Sequence, residues 1–354
     1  MDWFIGQGEI QVNFSGFALK KKIGNLTIKD EVIRYIELKQ SKPVVVQTCV
    51  ERFLPEGLIR GGVIQDFDTL SMILDECVQD WGIKGRKVRF TVPDAFIVIR
   101  KVAVPGDLKD DEIRGHLYFE IGSSIHLPFD EAVFDYIVLS RSDKHLQLLL
   151  FASSEELVRS YSDLLDGAKL KPLAADISPL CHYRLYSQLA EAEKADSSAM
   201  LIQFDLSAVN LSIFQKQQPV FMRNIEMEKK HMILDQGDIP FQENKERLFR
   251  QSGEKYIKMS VSHEEFMLQV DEILKEMDHV LNFYRFSLNQ GNDEVSSFIL
   301  TGDHPMLADV HKRLSTRYDL KISTMKHVQA ELADKSPLPA SFYLTAGLAL
   351  KEVH

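Results

Sequence analysis

Glycine is scarce in this chain, 18 of 354 residues, and phosphate-cradling loops need glycine because only it lets backbone N–H groups approach so closely. No Walker loop or GxGxxG turn occurs. Cysteine is scarcer: Cys49, Cys77 and Cys181 are odd in number and far apart, which excludes a disulfide framework and any CxxC pair. Positive charge is in deficit, with 42 Lys and Arg against 52 Asp and Glu and a formal net charge of −10. That sign excludes nucleic acid as the main partner. No apolar run approaches the ~20 residues that span a bilayer. The first nine residues carry acids and no apolar core, so no signal peptide is expected. GxSxG, HExxH and zinc-ligand spacings are missing too; His263-Glu264-Glu265 has Met267 at the second histidine position and reads as a capped helix start. The acid runs Asp110-Asp111-Glu112 and Glu155-Glu156 head predicted helices, where the helix dipole favours negative charge.

What remains is an ordinary globular composition, 45% hydrophobic and 27% charged, long enough for two folded units. Residues 26–50 alternate as a hairpin and a third strand. Phe67, Leu70, Ile73, Cys77 and Trp81 then recur at three- and four-residue spacings, a helix that Gly82 closes. A strand at 87–92 ends at Pro93. Residues 95–168 read as a small α/β insert: a strand to 104, a helix at 110–121, strands at 132–139 and 146–151, and a helix at 154–166. Ser153 and Glu156 are spaced as that last helix's capping box, with Gly167 as its stop. Residues 191–198 are small and polar and form the linker. A second hairpin follows at 201–213 with a third strand at 219–221, then a charged stretch at 226–258. The helix 262–288 has a capping box at Ser262 and Glu265 and an apolar face of Phe266, Val270, Leu274, Met277, Leu281 and Tyr284. Asp30 and Asp205 lie 13 and 14 residues before Pro43 and Pro219, so both halves open with the same three-stranded unit.

A family resemblance sits on residues 92–136. Val92-Pro93-Asp94-Ala95-Phe96-Ile97-Val98-Ile99-Arg100-Lys101-Val102-Ala103-Val104-Pro105, an acidic helix, and then Ile125-His126-Leu127-Pro128-Phe129-Asp130-Glu131-Ala132-Val133-Phe134-Asp135-Tyr136 resemble the type IV pilus assembly protein PilM in order and spacing. Ala174-Ala175-Asp176-Ile177-Ser178-Pro179, Ile299-Leu300-Thr301-Gly302 and Ala346-Gly347-Leu348-Ala349-Leu350 extend the resemblance over almost the whole chain. It implies an α/β, actin-like (ASKHA) bilobal fold related to cell-division FtsA, with duplicated mixed-sheet lobes. On that reading 1–25 is a leader, 26–94 and 169–195 form the first lobe, 95–168 is the insert, and 196–354 is the second lobe. The resemblance also implies a cytoplasmic protein, peripheral at the inner face of the membrane. It would dock the cytoplasmic tail of a PilN-like bitopic membrane protein beside the insert and link the pilus motor to the membrane platform. Arg100, Phe119, Ile125, Leu127 and Phe129 are the candidate partner residues.

Actin-like ATPases hold phosphates between two hairpin turns of the type D-x-G-x-x-x-[ST], and this chain departs from both. The first turn is Lys29-Asp30-Glu31, without glycine and shortened, with two acids that would face a phosphate. The second keeps Asp205 but has Ser207 in place of glycine. The nucleoside loop keeps Gly302 and follows it with Asp303 and His304. Degradation at three loops predicts a scaffold rather than an enzyme, with no cofactor. The alternative is an ATP- and Mg2+-binding ATPase using Asp205, Ser207, Gly302, Lys29 and Asp30, and a second rival is an FtsA-like filament. Arg34 is expected to form a solvated ion pair with Glu37. Trp3, Phe4 and Lys20-Lys21-Lys22 in the leader raise a membrane-surface arm, against which stands a plain edge-strand leader.

Overall fold

The computed structural model describes residues 23–188, 198–227, 232–235, 256–259, 262–291, 293–325, 328 and 330–352. The predicted leader up to Lys22, most of the linker and much of the charged 226–258 stretch lie outside the described residues. The chain opens with β1 (Gly24–Ile28), β2 (Val32–Ser41) and β3 (Val44–Phe53), then a short hairpin of β4 (Ile59–Arg60) and β5 (Val63–Ile64). Helix α1 (Phe67–Asp80) and β6 (Lys87–Thr91) follow. Asp66 caps α1 by accepting the Thr69 N–H, worth about 1 kcal/mol. Gly82, at φ +65°, turns the chain out of that helix.

The insert comprises β7 (Val98–Pro105), α2 (Asp110–Glu120), β8 (Ala132–Arg141) and β9 (His145–Ser154), its three strands ordered β7-β9-β8. Residues 94–96 form a 3-10 turn rather than the start of the predicted strand. The apolar run in β9 serves two cores: Leu146, Leu148, Leu150 and Ala152 face α2, while Leu149 and Phe151 face the first lobe. Helix α3 (Glu155–Gly167) packs Leu157, Tyr161, Leu164 and Leu165 into the first lobe's core. Its cap is Ser154, which accepts the Leu157 N–H, and not Ser153, which is fully buried. The helix ends at Gly167 and is closed by Ala168, whose N–H reaches back to the Leu164 carbonyl. β10 (Lys171–Asp176) and α4 (Ser178–Tyr186) return to the first lobe.

The second lobe runs β11 (Ala199–Phe204), β12 (Ala208–Gln215), β13 (Gln218–Glu226), β14 (Met232–Asp235), β15 (Tyr256–Met259), α5 (His263–Asn282), β16 (Ser297–Thr301), α6 (Leu307–Arg317) and β17 (Lys321–Thr324). The capping box at Ser262 and Glu265 is present, and α5 continues through a π-helical turn, Phe283–Leu288. β18 (Ala330–Leu332) and α7 (Tyr343–Ala349) finish the chain.

The two main sheets repeat one topology. The first is ordered β10-β6-β1-β2-β3, with β18 added outside β3, and the second β17-β16-β11-β12-β13. In both, the first three strands are antiparallel and the remaining two join in parallel. This duplicated five-stranded order is the actin-like fold. The pairs closing the two hairpins, Ile28 with Ile33 and Phe204 with Val209, make Lys29 equivalent to Asp205. Counting back from the prolines therefore sets Asp30 against Asp205 one position out of register. Pro43 lies in a turn and Pro219 inside a strand, so they are not equivalent anchors. Between the lobes a shared core joins Val44, Val46 and Ile36 of the first sheet to Leu201, Phe214 and Ile299 of the second, with Phe342 and Ala346.

Candidate functional site in the interlobe cleft

The ends of β1, β6, β11 and β16 meet where the two lobes face one another, the position at which an open α/β sheet places its ligands. Lys29 lies at the β1–β2 turn, and its Nζ is 2.8 Å from Asp205 Oδ2 and 3.3 Å from Asp303 Oδ2. The Arg34 Nη1 donates to Asp303 Oδ2 at 2.5 Å and its Nε to Glu51 Oε2 at 3.0 Å. The Arg34, Glu51 and Asp303 side chains are almost wholly buried, at 2–4% exposure. Arg34 thus corrects the expectation of a solvated pair with Glu37. Residues three apart in a strand project from opposite faces, and Glu37 instead accepts the Tyr35 hydroxyl and pairs with Arg86.

Across the cleft Asp94 takes a second set of bonds. Its Oδ1 accepts the Ser178 hydroxyl at 2.6 Å, and its Oδ2 accepts Asn210 Nδ2 at 2.6 Å and Gln203 Nε2 at 3.4 Å. Gln203 also donates to Asp205 Oδ2, at 2.5 Å, and Asn210 is backed by Asn224 at 2.7 Å. Burial pushes the Asp94 carboxyl up to about 6, with Ser178 donation opposing and the Asp205 charge reinforcing the shift. Asp205 is raised by burial against the pull of Lys29, whereas the two cations beside Asp303 overcome burial and hold it below the usual carboxylate range. His182 (α4) and His304 are kept neutral, lowered to about 3 and about 4 by burial.

Asp30 does not face into the phosphate position as its sequence place suggests. Its carboxylate turns to accept the Gly61 and Gly62 N–H groups at 2.8 and 2.9 Å, which anchors the β4–β5 hairpin. Gly61 and Gly62 adopt φ of +55° and +82° to present them. At the hairpin turns the Lys29 N–H is bonded to the Val32 carbonyl and the Asp205 N–H to that of Ala208, and the Ser207 carbonyl accepts the Met227 N–H. Gly302, at φ +126°, lies so close to the Phe204 carbonyl that a Cβ would fall 2.0 Å from it. His304 follows, stacked on Phe266 with ring centroids 4.5 Å apart. Beside the turns opens a cavity of about 430 Å³ whose walls include Ile59, Gly61, Pro93, Asp94, Asn224 and Met227.

The structure gathers Lys29, Asp205 and Gly302 in the cleft with Ser207 at its rim, brings in Asp303, which sequence reasoning placed in the nucleoside loop, and adds Arg34, Asp94, Gln203 and Asn210, which it did not assign to the site. One signal was available: Gln203 and Asn210 are amides within strands whose other buried residues, Ser212 apart, are apolar. The candidate partner residues lie on the insert. Phe119 is 79% exposed, beside Tyr118 at 71%. Ile125 belongs to the insert's core, Leu127 and Phe129 pack against that core, and Arg100 is exposed and donates to the His126 carbonyl. Among the described residues no three acidic, histidine or cysteine side chains form a metal-binding group, and no helix is long and apolar enough to cross a membrane.

No curated protein sequence matches the chain. Among solved structures it is similar to a PilM-PilN type IV pilus biogenesis complex, at 18% identity and TM-score 0.72, covering 94% of this chain and 99% of that one. It is also similar, at 10% identity and TM-score 0.48, to the ethanolamine utilization protein EutJ from Carboxydothermus hydrogenoformans, covering 93% and 90% of the two chains. The ADP-bound MreB5 of Spiroplasma citri follows at 10% identity and TM-score 0.45, covering 93% and 95%. The family model described as type IV pilus assembly protein PilM matches residues 25–353, and the chain belongs to that family.

Proposed function

We propose that this chain is a non-enzymatic scaffold of a type IV pilus or competence-type assembly machine. It holds the cytoplasmic tail of a PilN-like bitopic membrane protein at the inner face of the membrane. Lys29 carries the non-enzymatic part of this reading. Its ammonium occupies the gap between the two hairpin turns and is already matched by Asp205 and Asp303. A triphosphate placed there would meet two buried carboxylates, hairpin turns without glycine, and a nucleoside loop closed by Asp303 and His304. These residues do not fit the nucleotide and magnesium of an actin-like ATPase.

The partner part is supported by family membership and by the insert. Helix α2 exposes Tyr118 and Phe119, and β8 forms an edge of the three-stranded sheet. An extended peptide can add to such an edge or bury apolar side chains beside it. Two titrations test the reading. Calorimetry with Mg-ATP and Mg-ADP is expected to give no heat up to about millimolar nucleotide, whereas micromolar binding (about −8 kcal/mol) would replace the scaffold with an ATP-dependent protein. A labelled peptide of the host's own PilN-like cytoplasmic tail is expected to bind, and Phe119→Ala to weaken it. A peptide that does not bind would remove the partner reading.

A further inference from the structure

The contacts across the cleft obey the internal repeat. In each lobe the second strand sends a side chain across to the carboxylate that follows the fourth strand of the other lobe. Arg34 on β2 donates to Asp303 after β16, at 2.5 Å. Asn210 on β12 donates to Asp94 after β6, at 2.6 Å. Each donor is backed by the residue directly opposite it on the third strand, Glu51 for Arg34 and Asn224 for Asn210. Between these crossed bonds lie the equivalent turn residues Lys29 and Asp205, paired at 2.8 Å. Asp94 also stands four residues before β7, so it marks the point where the chain leaves the first lobe for the insert. The insert in turn touches the second lobe, Lys101 on β7 donating to Gln215 on β12 at 3.1 Å.

We propose that the crossed pairs Arg34–Asp303 and Asn210–Asp94, with Lys29–Asp205 between them, form a latch that holds the lobes together without a ligand and pins the root of the insert to the second lobe. Opening the cleft breaks both crossed pairs and frees residues 94–97, so lobe closure and the setting of the partner-binding insert become one equilibrium. A ligand that binds the insert more tightly in one setting then shifts the cleft, and the reverse holds by linkage. This inference rests on the scaffold reading in one respect, that no nucleotide bridges the lobes instead.

Hydrogen exchange of the full chain, free of nucleotide, tests the latch. Asn210→Ala, Lys29→Asp and Asp205→Lys are each expected to speed exchange in residues 92–105 and 204–211 by about tenfold or more, leaving the buried strands β1, β9 and β16 protected. The double variant Lys29→Asp/Asp205→Lys, which restores opposite charges, is expected to return those segments to within about twofold of the parent. If a single charge variant fails to fold, the double variant and the milder Asn210→Ser carry the test. Unchanged exchange in the folded single variants would overturn the latch, as would a folded double variant that stays as fast as the singles. Repeating the measurement with Mg-ATP separates the two ideas: slowing by nucleotide in the parent would sink the scaffold reading, while recovery in the charge swap would still stand for the latch.

Discussion

The two hairpin turns share a backbone plan and carry opposite charge at the same position, Lys29 in one and Asp205 in the other. In the actin-like motif both turns carry aspartate, and two like charges facing each other need an outside cation and its ligand to hold the lobes together. Replacing one of the pair with lysine lets the cleft supply its own counter-ion. The crossed bonds differ in a related way. The half led by Arg34 is ionic, whereas the half led by Asn210 places a neutral amide against a carboxyl that burial pushes up to about 6. A buried ion pair is costly to break and adds little net stability when formed; an amide–carboxylate bond is a milder contact that can be remade. Both break when the cleft opens, the first at the larger cost.

This contrast can be broken first at its strongest point. Arg34→Ala leaves Glu51 and Asp303 facing each other in a buried site and is expected to cost about 3–5 kcal/mol in urea unfolding. Asn210→Ala removes a neutral donor to Asp94 and the acceptor of the Asn224 amide, and is expected to cost about 1.5–3 kcal/mol in the same assay. If the two losses came out equal, the distinction between the halves would fail.

The Asp94 carboxyl sharpens the comparison through pH. Its folded value of about 6 lies above the 3.8 of an unperturbed aspartate, so the folded chain holds the proton more tightly. Its contribution therefore falls as pH rises from about 4 to 6 and is flat above that. Asp94→Asn keeps an acceptor oxygen for Asn210 and reverses the Ser178 bond, its amide donating to the hydroxyl oxygen, and is expected to gain on the order of 2 kcal/mol over the parent across that window. His182 and His304, kept neutral by burial, act oppositely, since their stabilisation is present above the ordinary 6.5 and is lost as pH falls towards 3. They are common to both proteins and cancel in the difference. A pH-independent difference would remove Asp94 from the account. The smallest effect is expected at Phe119→Ala, within about 0.5 kcal/mol in stability because the ring is in solvent, so any loss of tail-peptide affinity there reports on binding alone.

Much of this architecture was legible in the chain because its signals are local. Alternation marked the two opening hairpins, and the box at Ser262 and Glu265 marked the start of α5. The cap of α3 was misplaced by one residue because Ser153 and Ser154 are both plausible by type, and only burial distinguishes them. The site was harder to read. Lys29, Asp205 and Gly302 were found through their loops, but the partner of Arg34 is 269 residues away, and no periodicity encodes such a meeting. The strand holding Arg34 is buried on both faces, so alternation gave no direction to its side chain.

At the floor of the cleft, α4 and α7 cross at Gly347, where an added Cβ would fall 1.8 Å from the Cys181 carbonyl oxygen. Two backbones touch there with no side chain between them, and Leu344, Leu348 and Cys181 close around the contact. Backbone meeting backbone at this distance leaves almost no slack. His182, next to Cys181, bonds Thr301 just ahead of Asp303, and Thr345 on α7 bonds Thr27 just ahead of Lys29, so the contact is tied directly to the latch turns. One methyl group at position 347 would act as a wedge between α4 and α7, and the displacement it forces would pass straight into the strands that end at Lys29 and Asp303.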